Sequence, residues 1–414
     1  MRYLLLALLI VCHPLFAAAR QVDEFRWSGV GRIVAIGDLH GDYDGYLAVL
    51  QSAGLVNTRG RWIGGDTHLV QTGDIPDRGP DTRRIIGHMA QLAREARRHG
   101  GRVHNLLGNH EAMNVYGDLR YTTAGEYRAF AGRGSAALRD SYFAAMMEAL
   151  AASDPERHAV LPEDYRERWD REHPLGWVEH RLAWDPRLDD KGELFQWAMQ
   201  AKVAIQINEL LFVHGGLSGA YCGNSLRSLT TKAHEALRRS DPNQLGILED
   251  ERGPLWYRGL AGIAPATPTA IVDAILETHH ARHIVIGHTP TQGIVWPRLD
   301  GRVIMIDTGI GAAYGGHIGW LEVTNEGLFA GYRGGRLSLP MLDAQRSAYL
   351  DKVIGLDPGN AALMQRRVAV GTGQDVATQG ESEDASAQRP AAAVAIAKPA
   401  TPPPASATTC DTAR

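Results

Sequence analysis

Five times in this chain an apolar run ends abruptly in Asp, Asn or His beside glycine. The stretches are RIVAIGDLHGD (32–42), LVQTGDIPDRGP (69–80), RVHNLLGNHE (102–111), LLFVHGG (210–216) and IVIGHTP (284–290). Gly, Pro and Asp punctuate turns for steric reasons alone, so any one of these is an ordinary loop. Five in one chain ask for a common cause. Together they deliver Asp38, His40, Asp74, Asn109, His110, His214 and His288, a set of oxygen and imidazole donors with no thiolate. Such a set suits Mn²⁺, Fe or Zn²⁺. Asp38 and His40 are separated by one residue, so in extended backbone both side chains point the same way and can grip one ion. Asn109 and His110 are adjacent and diverge, which leaves at most one of them a ligand and frees the other for chemistry. A carboxylate such as Asp74 can bridge two ions, and a pair about 3.5–4 Å apart binds a shared water and lowers its pKa toward neutrality.

Ligands from five loops converge only if their strands end on one edge. In an open α/β sheet the loops at the carboxyl ends of the strands face one crevice. The sequence supplies the alternation: strand-like runs at 32–36, 68–72 and 102–107, with a plausible helix at 42–53 and another at 81–99. In the second helix Ile85, Ile86, Met89, Leu92, Ala93 and Ala96 recur at helical spacing. This β-α-β-α-β order predicts a sheet covered by helices. After residue 215 the spacing predicts helices at 225–239 and 267–281 and strands at 283–287, 302–306 and 319–323. The region of about 113–205 breaks the rhythm and reads as a largely helical insertion over the loops. Its Trp169, Trp177, Trp184 and Trp197 are expected to pack it onto the body. His279, His280 and His283 precede a strand rather than follow it, so they are expected on the surface.

The chain has 414 residues, is 44% hydrophobic and carries a formal charge of −4. No basic excess exists to neutralise nucleic-acid phosphates, so no nucleic-acid partner is expected. The opening MRYLLLALLIVCHPLFAAAR reads as a secretory signal peptide over residues 1–19, too short to span a bilayer comfortably. A periplasmic or secreted protein, off the membrane once that segment is removed, is the expectation. Cys222 and Cys410 then remain, and an exported compartment permits but does not require a bond between them. From residue 366 the composition turns to Ala, Pro, Ser, Thr and Gln, and 366–414 reads as a disordered tail behind a catalytic domain of 20–365.

GDLHGD, GDIPDRGP, GNHE, VHGG and GHT, in that order, resemble the signature of the calcineurin-like metallophosphoesterases, and within them the phosphoprotein phosphatases. The resemblance covers about 32–310, and GNHEAMNVYGDLRYTTAGEY, HPLGWVEHR and GPLWYRG are similar to the bacterial Shewanella-like branch. MIDTGIGAAYGGH stands where animal members carry an inhibitor-binding segment. The resemblance implies an α/β fold of two mixed β-sheets sandwiched and flanked by helices. It implies that Asp38, His40 and Asp74 hold one divalent ion, and Asp74, Asn109, His214 and His288 a second, with Mn²⁺ the first expectation and Fe or Zn²⁺ the alternatives. It makes His110 the general acid oriented by Asp77, and assigns the phosphoryl group to Arg78, Arg258 and Asn109. A hydroxide bridging the two ions would attack phosphorus in line, without a phosphoenzyme. The implied substrate is a phosphoprotein, phosphotyrosine ahead of phosphoserine and phosphothreonine, or a small aryl phosphate. The alternative is a dinucleoside polyphosphate hydrolase, since bacterial enzymes of that activity share the GDxHG, GD and GNH loops. A non-catalytic metal-binding module would be expected to lack a ligand or His110, and none is missing.

Overall fold

The structure, a computed structural model, describes residues 24–241, 244–263, 266–371 and 410. The expected signal peptide and most of the expected tail lie outside the described residues. The strands are β1 (Arg26–Trp27), β2 (Arg32–Ile36), β3 (His68–Gln71), β4 (Arg102–Asn105), β5 (Ala204–Ile207), β6 (Leu210–Val213), β7 (His283–Ile286), β8 (Trp296–Arg298), β9 (Val303–Met305), β10 (Gly319–Thr324), β11 (Gly327–Tyr332) and β12 (Gly335–Ser338). They form two six-stranded sheets, ordered β1-β5-β6-β7-β9-β8 and β12-β11-β10-β2-β3-β4. Each sheet is mixed and has three adjacent parallel strands: β6, β7 and β9 in one, β2, β3 and β4 in the other.

Register explains the convergence of the loops. Ile36 lies opposite Gln71, and Gln71 opposite Asn105; in the other sheet Val213 lies opposite Ile286, and Ile286 opposite Met305. The three parallel strands of each sheet therefore end level with one another. The residues that follow them start from one edge. β2, β6 and β7 are Val, Ile and Leu runs buried over nearly their whole length, as expected for parallel strands covered by helices, while β4 (RVHN) stays partly open.

The helices are α1 (Tyr43–Ser52), α2 (Thr82–Arg97), α3 (Asn109–Tyr116), α4 (Ala124–Phe130), α5 (Ser135–Ser153), α6 (Pro155–Ala159), α7 (Tyr165–Glu172), α8 (Trp177–Ala183), α9 (Glu193–Ala198), α10 (Leu226–Arg239), α11 (Thr269–His279), α12 (Arg346–Leu356) and α13 (Ala361–Gly371). Asp42 starts α1 by accepting from Gly45 N at 2.8 Å, and Ser225 starts α10 by accepting from Ser228 N at 3.1 Å. α2 lays Ile85, Ile86, Met89, Leu92 and Ala96 on the core, on the face its spacing predicts. Trp184, fully buried, and Trp197 join the body's core as expected, whereas Trp169 stacks on His173 at 4.4 Å and meets Trp177 edge-on at 6.3 Å, packing within the insertion rather than onto the body. No helix among the described residues is long and apolar enough to cross a membrane.

Four boundaries or placements differ from the sequence reading. The insertion does not reach 205: Ala204–Ile207 is β5, paired antiparallel with β6 and parallel with β1, because its apolar run satisfies a sheet position. Its start is also shared, since α3 begins at Asn109 and runs on from the site. The catalytic body does not stop at 365; α13 runs to Gly371 and buries Leu363 and Arg366, whose guanidinium lies 5.2 Å from the Trp296 ring. His279 is buried on the apolar face of α11 with Ile271, Val272 and Ile275 rather than at the surface.

Candidate active site

β2 delivers Asp38 and His40, β3 delivers Asp74, Asp77 and Arg78, and β4 runs into Asn109 and His110 at the start of α3. From the other sheet, β6 delivers His214 and β7 His288. All of these except Arg78 are buried. Extended alternation does not place Asp38 and His40 together, because His40 has φ +46. Asp74 (φ +57), Asp77 (+72), Arg78 (+63) and His288 (+62) share this left-handed conformation. Each is unfavourable for a non-glycine residue by about 1–3 kcal/mol and persists only where its surroundings fix it. Leu39 N and His40 N both donate to Asp74 O, at 2.9 and 3.1 Å, and Gly41 N donates to Ile75 O at 2.7 Å, so the first two loops hold each other. Gly108 is needed where a Cβ would strike Asp74 Oδ1.

Two groups of donors close around Asp74. His40, Asp74 and His110 form one, Asp74, His214 and His288 the other, each with its ligand atoms within 4.8 Å of one another. His214 Nδ1 donates to Thr72 O at 2.9 Å, which leaves Nε2 as a lone-pair acceptor. That atom faces two further acceptors, Asn109 Oδ1 at 2.9 Å and Asp74 Oδ2 at 3.2 Å. Three acceptors without a proton among them fit a cation, and the imidazole anchored through its other nitrogen to a carbonyl is a metal-ligand arrangement. The residues therefore fit divalent ions, with Asp74 shared between the two groups. Asp38 accepts from His288 N at 3.1 Å and lies 3.9 Å from His214 Nδ1, which places it beside the second group.

The electrostatics agree with a cation-binding centre. Burial, then the neighbouring Asp307 and Asp74 carboxylates, holds Asp38 well above the usual carboxylate range. Burial, with the nearby His110, pushes His40 down to about 3, and burial with Arg258 holds His288 well below its ordinary value. Neutral imidazoles and crowded carboxylates are the protonation states a positive ion would use.

His110 is set apart. Its Nδ1 donates to Asp77 Oδ2 at 2.6 Å, while Nε2 lies 3.9 Å from Asp74 Oδ2. Burial lowers its pKa, but Asp74 and Asp77 more than offset this and hold it above the ordinary histidine value. Burial raises Asp77, and His110, Thr122 Oγ1 at 2.8 Å and Asn114 Nδ2 at 3.2 Å outweigh it, so the carboxylate stays ionised. Arg78 lies against two aromatic rings, 4.3 Å from that of Tyr121 and 5.2 Å from that of Tyr314. Arg258 reaches the centre from the other sheet, with Nη1 donating to His288 O at 2.8 Å.

Two site residues escaped the sequence reading. Glu111, buried in GNHE, accepts from Asp74 N at 3.0 Å, Ile75 N at 2.8 Å and Gly108 N at 2.8 Å, tying two ligand loops together. Asp307 follows β9 in VIMIDTG, a sixth apolar run ending in Asp, here with glycine one residue further on, and burial raises it to about 6. That pattern, shared with the five others, was the signal for it.

Two mixed sheets whose parallel strands deliver paired metal-ligand groups, an Asp-held histidine and arginines to one edge define a metallophosphoesterase. The chain belongs to the calcineurin-like phosphoesterase family, whose profile matches residues 31–292. It is 32% identical over 298 residues to an uncharacterized protein of Schizosaccharomyces pombe, covering 70% of this chain and 77% of that one. To Shewanella-like protein phosphatase 1 of Plasmodium berghei it is 25% identical over 301 residues, covering 70% and 69%. Among solved structures it is similar to the cold-active protein-tyrosine phosphatase of a psychrophilic Shewanella, with a TM-score of 0.57, 28% identity and coverage of 76% and 82%. The chain is a hydrolase, a phosphatase dependent on divalent metal ions.

Proposed function

We propose that the chain hydrolyses phosphotyrosine in phosphoproteins, or small aryl phosphates, with Mn²⁺ as the working metal. The observation that carries the reading is the His110–Asp77 pair at 2.6 Å beside Arg78 and Asp74. It supplies a proton next to a phosphoryl-binding guanidinium. On the substrate side, support comes from the similar Shewanella protein, a protein-tyrosine phosphatase.

Asp38, His40, Asp74, Asn109, His214 and His288 are the residues that would hold the ions. Bound there, divalent ions supply Lewis-acid charge and lower the pKa of water. The chain's own groups do the rest. Arg78 presents a planar fork to two phosphoryl oxygens, and Arg258 adds positive charge from the opposite loop. His110 Nε2 hands a proton to the leaving oxygen, while Asp77 keeps the proton on Nδ1 and steadies the imidazolium. The N-terminal segment supports export, so the enzyme would act in the periplasm or outside the cell on the chain that begins near Arg20.

The test is phosphate release by the Mn²⁺-loaded chain from phosphotyrosine, phosphoserine and phosphothreonine peptides, set beside cleavage of diadenosine tetraphosphate. Preference for phosphotyrosine is expected. Preference for the dinucleotide would overturn the substrate assignment while leaving the metal site in place.

A further inference from the structure

Tyr121 and Tyr314 enter the site from different sheets. Tyr121 follows β4, between α3 and α4, and its carbonyl accepts from Arg78 N at 2.9 Å. Tyr314 follows β9 and ends a single helical turn, Ala312–Tyr314, before Gly315 and Gly316 at positive φ. Their rings stand against the Arg78 guanidinium, and each also meets a site histidine: Tyr121 lies 5.1 Å from His110 and Tyr314 4.9 Å from His40. Both side chains are half-buried, so part of each ring remains open.

A phosphoryl group seated on Arg78 has its ester oxygen near His110, the proton donor. Tyr121, 5.1 Å from His110, and Tyr314, 5.2 Å from the Arg78 guanidinium, are placed to meet the group attached to that oxygen. A serine ester presents a short aliphatic stem there, which gains little from an aromatic wall. An aryl ester presents a flat ring, which gains offset or edge-on contacts with each tyrosine. We propose that Tyr121 and Tyr314 form an aromatic clamp that selects aryl phosphate esters, an inference that rests on the phosphotyrosine reading above. It assigns part of substrate choice to two residues outside the metal, acid and arginine set. It also gives the insertion a role through its first segment, whereas Trp169 and Trp177 pack against each other.

The competing role is structural, the rings serving only to hold Arg78 in place. Full-length chain carrying Tyr121→Leu, Tyr314→Leu or both, and the matching Tyr→Phe variants, separates the two. The readouts are kcat and KM on phosphotyrosine and phosphoserine peptides of one sequence, with inhibition by inorganic phosphate as a measure of Arg78. The double Leu variant is expected to lose about tenfold in kcat/KM on phosphotyrosine, mainly through KM. Phosphoserine turnover and phosphate inhibition should stay within about twofold, and the Phe variants should match the parent. Equal loss on both peptides, or weakened phosphate inhibition, overturns the clamp and leaves the phosphotyrosine reading standing. A parent enzyme that cleaves both peptides equally overturns that reading and the clamp with it.

Discussion

His110 donates through Nδ1 to an ionised, fully buried Asp77, so its other nitrogen is the one available to the substrate. His110→Asn should therefore separate acid from ligand. With metal content measured by elemental analysis unchanged, kcat is expected to fall by about 10²–10⁴ on esters with poor leaving groups, and far less on 4-nitrophenyl phosphate. A leaving group that departs without a proton has little use for the acid. Loss of metal in this variant would instead make His110 a ligand, as its place beside His40 and Asp74 allows. At this scale much of the site was legible, because Asp, Asn and His beside glycine at a strand end carry both a type and a position. The wrong step was conformational: alternation assumes extended backbone, and His40 is left-handed. Glu111 was illegible for a different reason. It acts by accepting backbone N–H groups from Asp74 and Ile75, partners about 36 residues away that only the fold brings near.

Between elements, Glu126 joins α4 at the front of the insertion to the first turn of α2, where Thr82 N donates to it at 3.4 Å. Burial, only partly opposed by Thr82 and reinforced by Asp77, raises its carboxyl to about 8. From its ordinary 4.5 up to about 8, the unfolded chain has lost a proton that the folded chain retains. Stability from this group is therefore full below 4.5 and falls as pH rises through the window, by at most about 1.4 kcal/mol per unit. Glu126→Gln keeps the shape of the protonated acid and removes the slope. Urea unfolding is expected to find the variant gaining about 1–3 kcal/mol on the parent between pH 5 and pH 8. An equal difference at both pH values would mean that Glu126 is ionised in the folded chain. The elements themselves were legible where periodicity was long, as in α2, and missed where it was short. β1 has two residues, too few to set a pattern against a loop, and β5 and β12, though as long as the legible β3 and β4, end in no Asp, Asn or His beside glycine to mark them.

Across the whole molecule, the sequence left Cys222 and Cys410 open, and the structure joins them, with Cα atoms 5.6 Å apart and a separation of 188 residues. Only tertiary proximity decides such a pairing, since spacing this long carries no local signal. Cys222 is fully buried in the segment that follows His214, so the link ties the far end of the chain to a loop that leaves the metal centre. Closing so long a loop restricts the unfolded chain, and disulfides of this kind contribute about 2–4 kcal/mol. Cys222→Ser is expected to lower the melting temperature by roughly 5 °C, and reduction of the parent should do the same. The active site should be less affected than the melting temperature, because every donor around Asp74 is held by β2, β3, β4, β6 and β7 and by the hydrogen bonds between their loops. Non-reducing peptide mapping should recover one peptide pair carrying both cysteines. Two free thiols in oxidised protein, with no change in melting on reduction, would refute the link. It would also remove one physical argument for a protein that works in an oxidising compartment, where such a bond persists.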